Sequence, residues 1–450
     1  METDVRRNPA LLKLDLYCQG LRLDDSCLVG ADGGRSILRT RAGLGSGLEL
    51  ILPGGLWTNV PVSETFARSS PYLLHRVDGR YEIRRHGNRS PGTGGSPQMI
   101  TGASELVARV KLAPRPAWYD RTTSTGKPMT RVGTLQGTYL GIYPAKVCEY
   151  WQEKPKQNCH FCSVGLNLGV DDADDKSVDE VMEVVRAARA ESRITYVDFN
   201  TGHYEGDTYL DILEPYIRRV KQETGLLVGV QTPPHHDLRR YDALRAMGVN
   251  RASFCFEIFD RDIFRRVCPG KDREYGLDRY LRAVEYCAGL GRGGHRGFTP
   301  WVSNGEIIAG LEPPSSSMAA IDWITSVGAI PTVCVFRPLV GTDMEEEPPP
   351  RMEDLVPVFR RLYEACMERN LPIGVAPNVH VSLVLLPEEC RWFVDRPRRF
   401  AWKEMRLAAM AAAFRWQFER QARRASQAAV LNGAEDRSRL EGQLGRPAAR

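Results

Sequence analysis

Three cysteines stand close together in the segment VCEYWQEKPKQNCHFCSVG, which contains Cys148, Cys159 and Cys162. The other eight of the eleven cysteines are scattered along the chain. A closed structural zinc site normally takes four protein ligands, and most protein-bound iron–sulfur clusters also take four cysteines. Three thiolates suit instead a cluster in which the protein binds three irons and a small molecule binds the fourth. The triplet therefore predicts a reactive metal centre.

The triplet has other interpretations. A CxxC pair such as Cys159 and Cys162 also occurs in zinc sites and in redox dithiols, and zinc could take His160 or a distant cysteine as its fourth ligand. The three residues could also be a chance group of buried cysteines. A second CxxC or an HxxxH pattern is missing from the sequence, and a dithiol would leave Cys148 without a role. The spacing favours an open-site iron–sulfur cluster, with a zinc-binding α/β protein as the alternative.

The composition is that of a soluble globular protein, with 42% hydrophobic and 26% charged residues and a net charge of +5 at pH 7. No run of 18 apolar residues occurs, so the sequence predicts no membrane span. The N-terminal segment METDVRRNPALLKLDLYCQG is charged from its start and lacks the apolar core of a secretory signal. We therefore expect a cytoplasmic protein whose cysteines stay reduced.

The length suits two or three domains. Residues 1–133 contain short β-like runs (LELILP, YLLHRV, ELVARVKLA) between turn signals such as ADGGRS and RSPGTGGSP, which predict an irregular, mostly β region of unknown role. Residues 386–425 predict a basic helical segment, and residues 426–450 a disordered tail. The arginines of the basic helix could contact nucleic acid or an acidic partner, but a solvated helix face is the simpler interpretation, so we expect no nucleic-acid partner.

Residues 134–385 alternate strands with helices in six units, which predicts an α/β fold with a parallel sheet and right-handed crossovers. One such helix begins at Ser177, a favourable N-cap with acids in the following turn. Six units can form an open doubly wound sheet or a partial barrel, and in both the ligands bind at the carboxyl ends of the strands. The cysteines follow the first predicted strand, TLQGTYLGIYP, and therefore lie at that end.

The cysteine triplet after the first strand, the aromatic residue inside CHFC and the six βα units resemble the radical S-adenosylmethionine (SAM) superfamily, over roughly residues 134–385. The resemblance implies a partial (βα)6 barrel and a [4Fe–4S] cluster bound by Cys148, Cys159 and Cys162, with S-adenosyl-L-methionine on the fourth iron. It also implies reductive cleavage of SAM to a 5′-deoxyadenosyl radical, which abstracts hydrogen from a substrate. An external one-electron reductant of the flavodoxin or ferredoxin type would be the partner.

This chain departs from the commonest superfamily spacing, CxxxCxxC, because it has CX10CxxC. A wide first gap also occurs in a tRNA-modifying branch, but the acetyltransferase domain of that branch has no room here. The cobalamin signature Asp-x-His-x-x-Gly is missing, as is a second cysteine-rich module. We expect a small-molecule substrate, with RNA modification as the alternative, and the subfamily stays open.

The resemblance also implies cofactor contacts at the strand ends. In the second unit, DFNTGH holds the place of a GGE-like turn that binds the SAM amino group, although an ordinary turn is nearly as plausible. In the fourth, a carboxylate at the strand exit suits a SAM or substrate contact or an ion pair with Arg265. In the sixth, an arginine suits a carboxylate of SAM or substrate, or a structural salt bridge. The predicted cofactor-binding residues are Gly202, His203, Glu257, Ile308, Gly310 and Arg337.

Several other polar residues fall in the same predicted region without a defined role. Lys271 could bind an anion or be a surface lysine. A proton could exchange at His235 or His236, but that pair more simply starts a helix after two prolines. The sequence designates no catalytic residue.

Overall fold

The computed structural model describes residues 4–28, 39–42, 45–86, 104–292 and 298–444. The predicted turn segments ADGGRS and RSPGTGGSP lie outside these residues, as does the end of the predicted tail, 445–450. Within the described ranges, no helix is long and apolar enough to cross a membrane.

The N-terminal residues form two helices and a mixed sheet. Helix α1 (Pro9–Gln19) begins at Asn8, whose side chain accepts a hydrogen bond from the Leu11 N–H (3.1 Å), and a short helix α2 covers Asp25–Leu28. The sheet order is β1-β5-β6-β7-β3-β2, with β4 also paired to β3, and only the β1–β5 pair is parallel. Its strands are β1 (Arg22–Leu23), β2 (Arg39–Ala42), β3 (Gly45–Ile51), β4 (Trp57–Val60), β5 (Tyr72–Val77), β6 (Arg80–Arg85) and β7 (Glu105–Leu112). The three predicted β-like runs lie in β3, β5 and β7, whereas the sequence patterns did not indicate α1.

A second seven-stranded sheet forms the α/β region. Six of its strands, β9 to β14, are parallel and lie side by side in chain order, and β14 and β8 are its two edges. Neighbouring parallel strands in chain order need crossover helices on one face, which leaves the other face to line an interior. This is the predicted partial (βα)6 barrel. The strands are β8 (Thr134–Gln136), β9 (Tyr139–Ile142), β10 (Tyr196–Asn200), β11 (Leu227–Gln231), β12 (Arg251–Glu257), β13 (Val302–Ala309) and β14 (Ile330–Val335).

One crossover helix, α4 (Val178–Ser192), begins at the capping residue that the sequence predicts. Ser177 caps α4 through a reciprocal capping box, in which its side chain accepts from the Glu180 N–H and the Glu180 carboxylate accepts from the Ser177 N–H. The remaining helices follow the strands in order. They are α3 (Val164–Asn167), α4 (Val178–Ser192), α5 (Tyr209–Thr224), α6 (Arg240–Ala246), α7 (Arg261–Val267), α8 (Pro269–Glu274), α9 (Gly276–Arg292), α10 (Pro314–Ser326), α11 (Met352–Glu368) and α12 (Ala401–Leu444).

The first predicted strand, TLQGTYLGIYP, differs from the prediction because it is a hairpin. Strand β8 pairs antiparallel with β9, and the chain reverses at Gly137, whose φ is +79°. Glycine adopts this conformation without the steric penalty that a side chain brings. A Cβ there would also lie 2.1 Å from the His380 carbonyl oxygen, so the turn needs glycine for space as well. Only β9 joins the parallel series, and the cysteines follow it as predicted.

Helix α12 continues through residues 426–444, the part of the chain for which the sequence predicts a disordered tail. Its earlier turns pack on the barrel, where the rings of Phe298 and Phe414 are 4.7 Å apart. The segment between α11 and α12 has no long helix or strand, and it crosses from the barrel to the N-terminal sheet.

Buried polar contacts join the N-terminal sheet to the barrel. Arg337, which follows β14 and is 4% exposed, donates hydrogen bonds to Asn59 Oδ1 (3.0 Å) and to the Asn59 carbonyl oxygen, and its guanidinium lies 5.4 Å from the Tyr17 ring centre. The Tyr17 hydroxyl in turn donates to the Ser382 carbonyl oxygen (2.5 Å). Arg337 therefore holds β4 and α1 against the end of the barrel, which is why it does not reach the interior.

We expect Arg337→Leu to lower the free energy of unfolding by about 1–3 kcal/mol, because it removes buried hydrogen bonds from the guanidinium to Asn59. Urea unfolding measures this change. The exposed Arg261, which pairs with Asp278, is the control, and Arg261→Leu should be close to neutral. Parental stability in Arg337→Leu would contradict the structural role.

Candidate functional site

A cavity of about 690 Å³ runs through the interior of the barrel. At one end its wall contains residues from the carboxyl ends of the strands, including His203 and Glu257, and at the other end it contains first residues of strands, including Leu227 and Arg251. Residues 372–376, 379, 381 and 383–388 contribute to the wall, together with Met410 and Phe414 of α12. The cavity therefore extends along the strands, and the segment before α12 helps to close it.

The strands place alternate side chains in this cavity. Because successive residues of a strand point to opposite faces, every second residue of β10, β13 and β14 lies on the wall. These residues are Tyr196, Asp198 and Asn200, then Val302, Asn304, Glu306 and Ile308, then Ile330, Thr332 and Cys334. A polar residue at alternate positions of a strand that is otherwise apolar is thus the sequence signal for the cavity wall.

All three predicted cysteine ligands lie on the wall of this cavity. Cys148 follows β9, and its sulfur accepts a hydrogen bond from the His203 N–H (3.3 Å). The Glu149 N–H donates to the His203 carbonyl oxygen (3.0 Å), so two backbone contacts tie this part of the loop to the end of β10. Cys159 and Cys162 form a tight turn, in which the Cys162 N–H donates to the Cys159 carbonyl oxygen (3.0 Å). The structure thus brings the three thiols to one end of one cavity.

Gly202 packs directly against Cys148. A Cβ at position 202 would lie 2.3 Å from the Cys148 Cβ and 2.8 Å from its Cα. Real Cβ atoms do not approach this closely, so only glycine lets the chain after β10 pass the cysteine loop. The sequence predicts that Gly202 contacts the cofactor; in the structure it packs against the first cysteine.

The cysteines differ in their surroundings. Burial raises the pKa of Cys148 to about 12 and that of Cys162 to about 11. A hydrogen bond from the Cys268 thiol lowers the pKa of Cys159. Metal ligation needs thiolates. A metal centre bound by these cysteines would therefore displace the protons that the buried thiols hold at neutral pH. No pattern in the sequence indicates a role for Cys268.

The residues present fit an iron–sulfur cluster with an additional polar ligand. Cysteine thiolates are the usual ligands of such clusters. In the described ranges, no three His, Cys, Asp or Glu side chains lie close enough together to hold a single metal ion, and a four-iron cluster spreads its ligands more widely than one ion does. Two buried polar atoms on the same wall, Thr201 Oγ1 and Tyr150 OH, have no hydrogen-bond partner in the part of the chain that the structure describes. Buried polar atoms are normally paired, so both could bind a ligand's polar groups.

Glu257 lies at the strained end of β12. Its φ is +68°, a conformation that residues with side chains rarely adopt, and the strand register shifts between Cys255 and Glu257. Strain of this kind clusters at functional sites. The Lys271 ammonium lies 2.9 Å from Glu257 Oε1, and both residues lie on the cavity wall. The ion-pair partner is therefore Lys271, while Arg265 pairs with Asp262 (3.1 Å) on the outside.

His203 lies beside the cysteine loop on the cavity wall. Its ring stacks on Tyr150 with 4.5 Å between centres, and its Nδ1 lies 2.8 Å from the Tyr275 hydroxyl. Burial lowers the pKa of His203, which favours the neutral imidazole at pH 7. The same network continues through Asp207, which accepts from Tyr275 (3.0 Å) and lies 2.7 Å from His236 Nδ1.

Two predicted cofactor contacts lie elsewhere. Arg337 is bound by the N-terminal sheet, and Gly310, whose φ is +102°, packs where a Cβ would meet Pro350 at 2.8 Å. Neither residue is among the described residues of the cavity wall, and neither are His235 and His236. Ile308 does line the cavity, as do Asn200 and Gln231. Gly310 follows the end of β13 and Arg337 follows the end of β14. At these positions the chain has left the cavity wall.

The sequence patterns do not indicate a buried charged cluster that β10, β12 and β13 bring together on the cavity wall. The Arg251 guanidinium lies 3.2 Å from Asp198 Oδ1 and 3.5 Å from Glu306 Oε2, and Gln231 donates to Glu306 Oε2 (2.8 Å). Burial raises the pKa of Glu306 to about 7. The cluster gives an otherwise mostly apolar cavity a place where it can bind or exchange a proton.

Comparison with known proteins finds a family that part of the chain resembles. Residues 153–307 match the family model described as the radical SAM superfamily. The matched range contains Cys159 and Cys162, and Cys148 lies five residues before it. This segment of the chain is therefore similar to the radical SAM superfamily.

One curated relative is a bacteriochlorophyllide c C-7(1)-hydroxylase of Chlorobaculum limnaeum, which is 32% identical over 123 residues. The match covers 27% of this chain and 29% of the relative, so the chain spans less than a third of that protein. Solved structures that match include methylornithine synthase (TM-score 0.39, 16% identity, 55% of this chain and 72% of the other). A maturase of the [FeFe]-hydrogenase also matches (TM-score 0.41, 14% identity, 50% and 49%).

We expect Gly202→Ala to disrupt the cysteine loop, because its Cβ must displace the Cys148 backbone. The variant should lose about 1–3 kcal/mol of stability and bind less iron per chain after anaerobic reconstitution. The control is Gly289→Ala in α9, where an added Cβ meets nothing within 4 Å. That change should be neutral or slightly stabilising. Parental iron content in Gly202→Ala would contradict the packing argument.

The raised pKa of Glu306 predicts a pH-dependent stability. The folded protein holds this proton up to about pH 7, whereas the unfolded chain releases it near 4.5. Between these values the folded state binds more protons, so the contribution of Glu306 to stability falls as pH rises, by up to about 1.4 kcal/mol per pH unit. Urea unfolding at pH 5, 6 and 7 should show a shallower decline in Glu306→Gln. The exposed Glu285→Gln should keep the parental slope, and an equal slope in both variants would contradict the assignment.

Proposed function

We propose that this chain is a radical SAM enzyme that acts on a small molecule in the barrel cavity. The observation that carries the proposal is that Cys148, Cys159 and Cys162 line one end of a cavity that continues through the barrel. When bound there, a [4Fe–4S] cluster and SAM supply reductive cleavage to a 5′-deoxyadenosyl radical, which abstracts hydrogen from a substrate. The protein's part is to bind, orient and shield the reacting groups.

The three cysteines would bind the cluster, and the residues beside them would bind SAM. Thr201 Oγ1 and Tyr150 OH offer unpaired polar atoms next to the cysteine loop. Gly202 and His203 keep the loop in place through their packing and hydrogen bonding to Cys148. The Glu257–Lys271 pair offers a carboxylate and an ammonium at the end of β12, which suits the charged amino and carboxylate groups of SAM. Further along the wall, Ile308 offers apolar contact area.

The substrate would lie deeper, between this end and the Arg251–Glu306 cluster. The cavity has the size of ordinary small-molecule sites. Its apolar wall, with a few converging polar groups, suits a ligand with an apolar body and a hydrogen-bonding group. The similarity to a hydroxylase named for bacteriochlorophyllide supports a small molecule over a nucleic acid as the substrate. A one-electron donor of the flavodoxin or ferredoxin type would reduce the cluster.

Anaerobic reconstitution with iron and sulfide tests this proposal. The brown protein should release 5′-deoxyadenosine from SAM when dithionite is added, as measured by chromatography. Cys148→Ala, Cys159→Ala and Cys162→Ala should each abolish this release, because a cluster with two protein ligands is not held in place. Cys366→Ala, a buried cysteine of α11, is the matched control and should retain it. A colourless protein with tightly bound zinc would overturn the proposal.

A further inference from the structure

The outer face of α12 exposes a row of large apolar side chains. Trp402 is 76% exposed, Met405 64% and Trp416 60%. With the exposed Ala409 and Ala412 they recur at intervals of three and four residues, which places them on one side of the helix. The row extends over about 21 Å, at 1.5 Å per residue. An outer helix face normally carries polar residues, so this row needs a partner or a function.

The other side of α12 fixes the direction of this row. Phe414 packs edge-on against Phe298, and Phe418 is only 6% exposed. Leu407 and Ala422 pack against the same core. The helix therefore cannot rotate to bury the tryptophans without exposing these inner residues instead.

The row lies in the most basic part of the chain. Residues 396–424 contain nine basic and two acidic residues, a net charge of +7. Arg420 and Arg423 are exposed and continue the row by about two turns, and Arg415 is exposed along its border. The Arg420 guanidinium lies 5.6 Å from the centre of the Trp416 ring. Cationic and aromatic groups therefore form one continuous surface.

We propose that this surface docks on an anionic lipid bilayer, with α12 lying in the plane of the interface. Tryptophan is enriched at the boundary between lipid and water, and arginines beside an apolar helix face attract anionic headgroups. A second copy of the chain would bring another strongly positive helix to the same place, so charge disfavours self-association. A nucleic acid would pair with the arginines, but it would leave Trp402 and Met405 in water.

Vesicle flotation of the full chain tests this inference. The protein should float with vesicles of phosphatidylcholine and phosphatidylglycerol, and not with phosphatidylcholine alone. The double variant Trp402→Ser/Trp416→Ser should bind about tenfold or more weakly, because it removes most of the apolar area that would enter the interface. Arg415→Gln/Arg420→Gln/Arg423→Gln should also weaken binding, as should added salt. Trp392→Ser is the matched control, since Trp392 is 45% exposed outside α12, and it should bind like the parent.

Three outcomes would overturn the inference. One is no binding to the anionic vesicles, and another is equal binding by parent and Trp402→Ser/Trp416→Ser. The third is a dimer in light scattering that this double variant abolishes, which would assign the face to a second copy. The first outcome, combined with equal binding of duplex DNA by the parent and by Trp402→Ser/Trp416→Ser, would identify nucleic acid as the polyanion that this surface binds. Circular dichroism checks the fold, and parental 5′-deoxyadenosine release by the double variant keeps this test separate from the proposed activity.

Discussion

The site depends on how closely the chain after β10 approaches Cys148. The cysteine loop has little regular structure, so its shape comes from contacts with other strand ends. Gly202 lies where a Cβ would be 2.3 Å from the Cys148 Cβ, and the next residue donates its N–H to the cysteine sulfur. Two backbone hydrogen bonds hold the other end of the loop. The His160 N–H donates to the Val267 carbonyl oxygen, and the Gly270 N–H donates to the Gln157 carbonyl oxygen. A loop with a ten-residue gap between its first two cysteines is thereby held at both ends.

Burial of charge is the second constraint. The barrel interior holds Arg251 between two carboxylates, and Glu257 against Lys271. An unpaired buried charge is costly, so these groups stay in fixed pairs or hold a proton. Glu306 illustrates the latter case, because its pKa is raised to about 7 while Arg251 and Gln231 remain within reach. A ligand that offers a cation or a hydrogen-bond donor would relieve this cost, which connects the stability of the protein to the binding preference of its cavity.

Periodicity and capping signals predicted most of the α/β region. The six parallel strands, the capping box at Ser177 and the position of the cysteines after β9 follow from local patterns, because each depends on residues close in the chain. The hairpin at Gly137 is also local, but one glycine inside an apolar run did not distinguish it from a continuous strand. The contacts of Arg337 do not follow from local patterns, since they depend on residues far away in sequence. Arg337 stands at a strand end, as a cofactor contact would, and only the fold shows that Asn59 binds it. The Arg251–Glu306 cluster could not be predicted either, because its members lie more than 50 residues apart in the chain. Its only signal in the sequence is that polar residues occupy alternate positions within buried strands.

We propose that the three cysteines hold a cluster with one iron left for SAM. Mössbauer spectroscopy of the iron-reconstituted protein, with and without SAM, distinguishes that iron from the other three. The spectrum should be that of a [4Fe–4S] cluster in which one iron changes its signal when SAM is added, and it should be lost in Cys148→Ala. A cluster whose irons are all unaffected by SAM would contradict the proposal, and so would a full cluster that persists without Cys148.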